Sequence, residues 1–207
     1  MAALVTRREE ARALRLAGSQ PESAGELTEV LVELASRMVA FATEAPRVRR
    51  RLAKSRNRVV AVDYREDKPK RGRRPIRLAE VGFYDYDRDV LVVAVVEPFA
   101  GKLVELFERE GSKPPISDEE LDEARELLAE IPELRKALKR KRARVAAFPT
   151  PSYAFLADSG RERHRGAAVY VDTADGAELH AVVDLSARQL VPDEQLDATL
   201  RGRRHDR

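Results

Sequence analysis

The sequence predicts an α+β chain built from two tandem copies, each a helix packed on a four-stranded antiparallel sheet. Three observations carry this. The stretch Ala79 to Val104 recurs without a gap at Gly166 to Val191. Phe83 falls on Tyr170, Asp85 on Asp172, Ala94-Val95-Val96 on Ala181-Val182-Val183, Glu97 on Asp184, and Leu103-Val104 on Leu190-Val191. Upstream, Ala40 to Val59 recurs at Glu126 to Val145, with Pro46 on Pro132, Arg49 on Arg135, Leu52 on Leu138 and Arg56 on Arg142. The offset is 86 residues upstream (145 − 59) and 87 downstream (191 − 104). A period that long exceeds the roughly 20–50 residues of a solenoid unit and points to a duplicated small domain. Third, the hydrophobic pattern in each copy switches from helical spacing to strand-like runs.

The chain has 207 residues, 43% hydrophobic and 36% charged. The expected division is a charged N-terminal arm over 1–22, copy one over 23–110, a linker over 111–116, copy two over 117–196 and a polar tail over 197–207. At this size each copy is near the lower limit for a self-sufficient core, so the copies are expected to pack on each other. The absence of Cys removes disulfide and thiolate chemistry and excludes a zinc ribbon. No apolar run approaches the ~20 residues of a membrane span, and the twin Arg near the start has no apolar segment behind it. The expectation is a soluble, cytoplasmic protein with no membrane contact. The 39 Lys and Arg against 36 Asp and Glu give a net charge of +3, a weak pull toward polyanions.

In copy one, Ser23-Ala24-Gly25-Glu26 has capping-box spacing, in which the Ser oxygen and the Glu carboxylate satisfy free backbone N–H groups. Leu27, Val30, Leu31, Leu34, Met38 and Phe41 then recur at helical spacing. Pro46 suits the first turn of a short second helix, where its missing N–H costs nothing. Strands are expected over Arg58–Tyr64, Ile76–Tyr86, Val90–Glu97 and Lys102–Phe107. The charged loop Lys68–Arg74, the turn Asp87-Arg88-Asp89 and the turn Ala100-Gly101 separate them. The third strand, VLVVAVVE, is apolar on both faces and needs cover on each.

In copy two, Ser117 to Glu120 repeats the capping-box spacing. Leu121, Ala124, Leu127, Leu128 and Ile131 give the helix its apolar face, and Pro132 restarts the chain. Strands are expected from Arg144 to Phe148 and from Tyr153 to Leu156, with Pro149 and Pro151 confining the region to a sheet edge. Ala167–Thr173 and Ala177–Leu185 flank Asp175-Gly176, a strong hairpin signal. Leu179, Ala181, Val183 and Leu185 alternate with Glu178, His180 and Asp184, so this sheet is expected to bury one face and wet the other.

No motif supplies a catalytic centre. There is no phosphate loop, since Gly101-Lys102 lacks the earlier Gly, and no nucleophile elbow. His164, His180 and His205 lack metal-ligand spacing, so no metal and no cofactor are implied. Asp85 and Asp172 occupy equivalent places near turns, where short carboxylates serve the turn backbone. The basic clusters carry the one chemical pull. Arg49, Arg50, Lys54 and Arg56 in copy one correspond to Arg135, Lys136, Arg140 and Arg142 in copy two. Both sets could grip phosphates, although no aromatic side chain interleaves with them in sequence.

The order of capped helix, Pro, short basic helix and strands resembles the small cystatin-like domains that precede the catalytic domain of copper amine oxidases. The residues that carry the resemblance are Tyr170, Asp172, Ala181-Val182-Val183-Asp184-Leu185 and Val191. A weaker set is Phe83, Asp85, Ala94-Val95-Val96-Glu97 and Val104. It covers about Ser23 to Pro192 and implies two cystatin-like repeats in an accessory, non-catalytic role. The catalytic signatures of those oxidases have no counterpart here: the single Asn, Asn57, is followed by Arg58, there is no H-x-H, and the catalytic barrel is missing. The expected function is binding or scaffolding through a protein partner or a homodimer, with the sheet edge around Pro149 to Tyr153 as one place for it. Nucleic-acid or other polyanion binding through the basic clusters is the alternative, and an enzyme of unrecognised type the third reading.

Overall fold

The computed structural model describes residues 24–67, 76–98, 100–139, 144–150, 160–172, 178–192 and 195–196. The arm, the polar tail, Ser23, the loop Lys68–Arg74, Arg140, Arg142, Pro151, the strand expected at Tyr153–Leu156, the Asp175-Gly176 turn and His205 lie outside the described residues. The chain is α+β, with two four-stranded antiparallel sheets and few helices. It divides into two compact units, Met1–Tyr84 with Val92–Arg109, and Asp85–Leu91 with Glu110–Arg207.

Helix α1 (Ala24–Glu44) and helix α2 (Pro46–Leu52) are followed by strands β1 (Asn57–Asp67), β2 (Ile76–Asp85), β3 (Val90–Glu97) and β4 (Lys102–Glu110), in the sheet order β1-β2-β3-β4. Pro46 stands in the first turn of α2, which has no side-chain cap. α1 lies against α2 and β1. Met38, Ala42, Val48, Leu52 and Val60 line the core with Leu78, Val81 and Phe83. Every residue of β3 from Val90 to Val96 is buried. Both faces of this strand are thus covered without a second subunit. β1 and β4 each run three residues past the ends that their apolar patterns suggest. Their extra residues are charged, and pairing along the ladder carries them. In this sheet Glu80 receives Arg65 at 2.6 Å and Arg109 at 3.1 Å.

The second unit repeats the order. Helix α3 (Asp118–Leu128) and helix α4 (Pro132–Leu138) precede strands β5 (Arg144–Pro149), β6 (Gly166–Asp172), β7 (Glu178–Asp184) and β8 (Gln189–Leu190), in the order β5-β6-β7-β8. The capping box at Ser117 forms in both directions: Glu120 N–H donates to the Ser117 hydroxyl at 3.3 Å, and Ser117 N–H to the Glu120 carboxylate at 2.9 Å. Ile131, expected on the α3 face, instead stands at the N-cap of α4, just before Pro132. α3 lies against β7 and β8, and α4 against β6. Leu128, Leu134, Val169, Val171, Val183 and Leu185 are buried, with Val182, Val191 and Leu196 in one cluster.

The wet face expected of β7 does not form as such. Asp184 is fully buried, and so is Val182 beside His180. The alternation rule assumes that polar residues face water. Here a carboxylate goes inside because the chain supplies it with partners, described below.

Two tight turns carry non-Gly or Gly residues at positive φ in equivalent places, Gly101 at 56° and Arg188 at 55°. They stand 87 residues apart (188 − 101), the spacing of the sequence repeat. For an L-residue this conformation costs about 1–2 kcal/mol, and glycine escapes it. Gly101→Ala is therefore expected to lower stability by about 1 kcal/mol. Arg188→Gly is expected to be neutral or stabilising, despite losing the 2.8 Å ion pair to Glu123. Urea midpoints of the two variants check the opposite signs.

Candidate functional site

Arg165, Glu120 and Asp184, three polar side chains that the second unit takes out of water, gather at the start of β6. Arg165, the residue before β6, is 0% exposed, and Glu120 in the first turn of α3 is 0% exposed. The Arg165 guanidinium meets the Glu120 carboxylate with two nitrogens: Nε donates to Oε1, and Nη2 donates to Oε2 at 2.6 Å. Two further donors reach backbone carbonyls, Nη1 to Pro114 O at 3.1 Å and Nη2 to Pro115 O at 2.9 Å. The Tyr86 hydroxyl donates to Glu120 Oε1 at 2.5 Å. A buried ion pair holds only when its spare donors and acceptors are satisfied, and this one meets that condition.

The network continues past the guanidinium. Arg165 N–H donates to Ser186 Oγ at 3.0 Å and to Asp89 Oδ1 at 3.3 Å, and the Ser186 hydroxyl donates to Asp89 Oδ1. His164 Nδ1 lies 2.8 Å from Asp184 Oδ2, and Ala187 N–H donates to Asp184 Oδ1 at 2.8 Å. Arg161 approaches Asp184 at 3.6 Å, and the second ring nitrogen of His164 is 3.9 Å from Asp89. Lys113 Nζ donates to His164 O at 3.1 Å. The linker residues 113–115 are therefore bound rather than simply spanning.

The charges follow the surroundings. Burial pushes the Glu120 carboxyl up. The Arg165 hydrogen bonds and charge, with the Tyr86 hydroxyl and Ser117 N–H, outweigh it and hold the group below the usual carboxylate range. Burial pushes Asp89 up, against the opposing pull of Ser186, His164 and Arg165. Burial pulls the Lys113 ammonium down, against the pull of Asp89. Among the described residues of the cluster, the Ser186 hydroxyl is given to Asp89, and His164 is held against Asp184. As chemistry, the arrangement ties segments together.

Arg49, Arg50 and Lys54 are exposed at the end of α2, and Arg56 is half-buried. Arg51 turns to Glu108 on β4. Arg135 is spent in part on the carbonyls of Ala129 and Glu130, and Lys136 is exposed. Asp85 is buried and accepts Asp87 N–H at 3.2 Å, the turn chemistry expected, while Asp172 is exposed.

Sequence reading missed two features. Arg165 sits in an Arg-rich run and looks like any surface cation; only its fixed position before a buried strand separates it from Arg161 and Arg163. The second is an aromatic row. The Phe148 ring meets Tyr170 edge-on at 5.9 Å, and Tyr170 stacks on His180 at 4.7 Å. These residues are far apart in sequence, and only the β5–β6–β7 register brings them together. Phe148 remains 58% exposed.

Arg165→Met is expected to cost about 3–5 kcal/mol, because it strands a buried carboxylate. Adding Glu120→Met should recover much of that loss, a non-additivity that a double-mutant cycle measured in urea detects. The pH dependence has a definite sign. The folded pKa of Glu120 is below its unfolded value, so the unfolded chain binds the extra proton. This contribution is complete above the unfolded value and is lost as pH falls through the folded one. Asp89, shifted up, acts in the opposite sense. Glu120→Gln should thus flatten the acid limb of stability against pH, read by thermal melts at about pH 2–6.

Neither the protein-family models nor the curated proteins include a match to this chain. Among solved structures, the chain is similar to a copper-containing benzylamine oxidase from Hansenula polymorpha, with 17% identity and a TM-score of 0.46. The similarity covers 79% of this chain and 28% of that chain.

Proposed function

We propose that the chain is a non-catalytic binding module made of two cystatin-like copies that arose by internal duplication. Its role would be accessory, of the kind played by the small domains that precede the catalytic domain of amine oxidases. The duplication is supported by the shared element order, by Pro46 and Pro132 opening α2 and α4 86 residues apart (132 − 46), and by the positive-φ turns at Gly101 and Arg188. The observation that carries the binding reading is β5. It is an edge strand with Phe148 exposed, and among the described residues it pairs with β6 alone. An edge of this kind accepts an added strand through backbone hydrogen bonds, with the exposed side chains setting the choice of partner.

The exposure of Arg49, Arg50, Lys54 and Lys136 favours a second reading, contact with nucleic acid or another polyanion. Salt separates the two. Phosphate contacts lose affinity by orders of magnitude between about 50 and 200 mM salt, and strand addition does not. The variant Ala147→Pro is expected to abolish capture of a strand-adding partner at both salt concentrations while leaving the fold intact. Capture unaffected by Ala147→Pro and abolished at about 200 mM salt would move the assignment to the basic helix ends. Amine-dependent peroxide release by the purified chain would overturn the non-catalytic reading.

A further inference from the structure

We propose that β5 pairs antiparallel with β5 of a second copy of this chain, about a two-fold axis at Ala146. This rests on the reading of β5 as a docking edge and names its occupant.

The backbone direction along β5 fixes which groups are on offer. Thr150 N–H donates to Gly166 O at 3.0 Å, and Thr150 continues the β5–β6 register in which Pro149 faces Ala167. In an antiparallel ladder the N–H and C=O of one residue point to the same side, and successive residues alternate. Phe148, Ala146 and Arg144 therefore direct their backbone groups toward β6, whereas Pro149, Ala147 and Val145 direct theirs to the open side. Proline occupies the place where a missing N–H breaks no bond within the sheet.

That pattern leaves a short edge with two N–H donors, those of Val145 and Ala147. A symmetric partner can use both. With Ala146 opposite Ala146 of the second copy, Val145 faces Ala147 on each side of the axis, and each such pair exchanges two backbone hydrogen bonds. An axis at Ala147 would use the same four N–H donors, two within the Ala147 pair and one from each Val145 to the Pro149 carbonyl of the second copy, so the side chains choose the register. In the favoured register Arg144 faces Phe148 of the second copy in a closely spaced pair, so a guanidinium meets an exposed ring. The small Ala146 at the axis leaves room for the close approach.

The other edges suit this less. β1 carries Arg58, Asp63 and Arg65, and β4 carries Lys102, Glu105, Glu108, Arg109 and Glu110. Charges of this density are how exposed edges are kept from pairing. β8 is two residues long. β5, with sequence RVAAFP, has one charge. Pairing at β5 also closes on itself, because the two-fold axis consumes both copies of the edge.

Edge-to-edge pairing of so few residues buries less than the ~1,200 Å² of a standard stable interface, so the dimer is expected to be weak and concentration-dependent. Covalent capture suits it, and the native chain has no Cys to interfere. Across the axis the two Ala146 Cα atoms would lie about 4.5 Å apart, within disulfide range. Phe148 and its symmetry mate would be separated by more than about 10 Å along the strands. Under mild oxidation Ala146→Cys is expected to give a reducible dimer at least tenfold faster than Phe148→Cys, and adding Ala147→Pro should suppress it. Equal rates for the two cysteine variants, or an Ala146→Cys chain that stays monomeric, would overturn the proposal. If that chain stays monomeric yet an Ala147→Pro-sensitive partner of another sequence is captured, the docking edge survives and self-pairing falls. If neither occurs, both fall.

Discussion

A fully buried guanidinium sets the terms for the second unit. Arg165 cannot leave water with its donors unmet, and the bonds made by it and by its partner Glu120 tie four separate segments together. Glu120 anchors the first turn of α3, Pro114 and Pro115 anchor the linker, Tyr86 joins through the shared carboxylate, and Ser186 with Asp89 closes on the backbone of Arg165 itself. The next residue, Gly166, opens β6. Everything hung on β6, including the register of β5 and the aromatic row, takes its position from that point. Glu120 does this while also serving as the third-position residue of a capping box, so one carboxylate both starts a helix and neutralises the buried cation.

Much of the fold was legible because local chemistry and repeat agreed. Ser117 with Glu120, Pro46 and Pro132 at helix starts, the both-sided apolar run of β3 and the edge placement of Pro149 each depend on a few neighbouring residues. Backbone rules alone decide them. The strand ends were less legible. β4 continues through Glu108, Arg109 and Glu110, residues with no apolar signal, because pairing along the ladder holds them. Ile131 has a side chain suited to the α3 face but a position set by Pro132, which ends one helix and begins the next.

The site was hidden for a different reason. Asp184 carries the alternation of a half-wet strand, yet it is buried because His164, Arg161 and Ala187 N–H converge on it, and none of these is its neighbour in sequence except Ala187. Arg165 has the same difficulty in reverse: an Arg among Arg and His residues gives no sign that it turns inward. The Phe148–Tyr170–His180 row is likewise a product of register. By contrast the described residues of the basic clusters, conspicuous in sequence, are in part exposed and in part spent on backbone carbonyls or ion pairs.

The account of β5 as an open edge rests on the side to which each backbone group points, and amide hydrogen exchange residue by residue tests this most directly. At low protein concentration the amides of Ala146, Phe148 and Thr150 should exchange slowly and those of Val145 and Ala147 fast, with the latter two gaining protection as concentration rises. Val145 and Ala147 amides as protected as those of Ala146 and Phe148 in the most dilute sample would contradict it, because the edge would then already be occupied within the single chain.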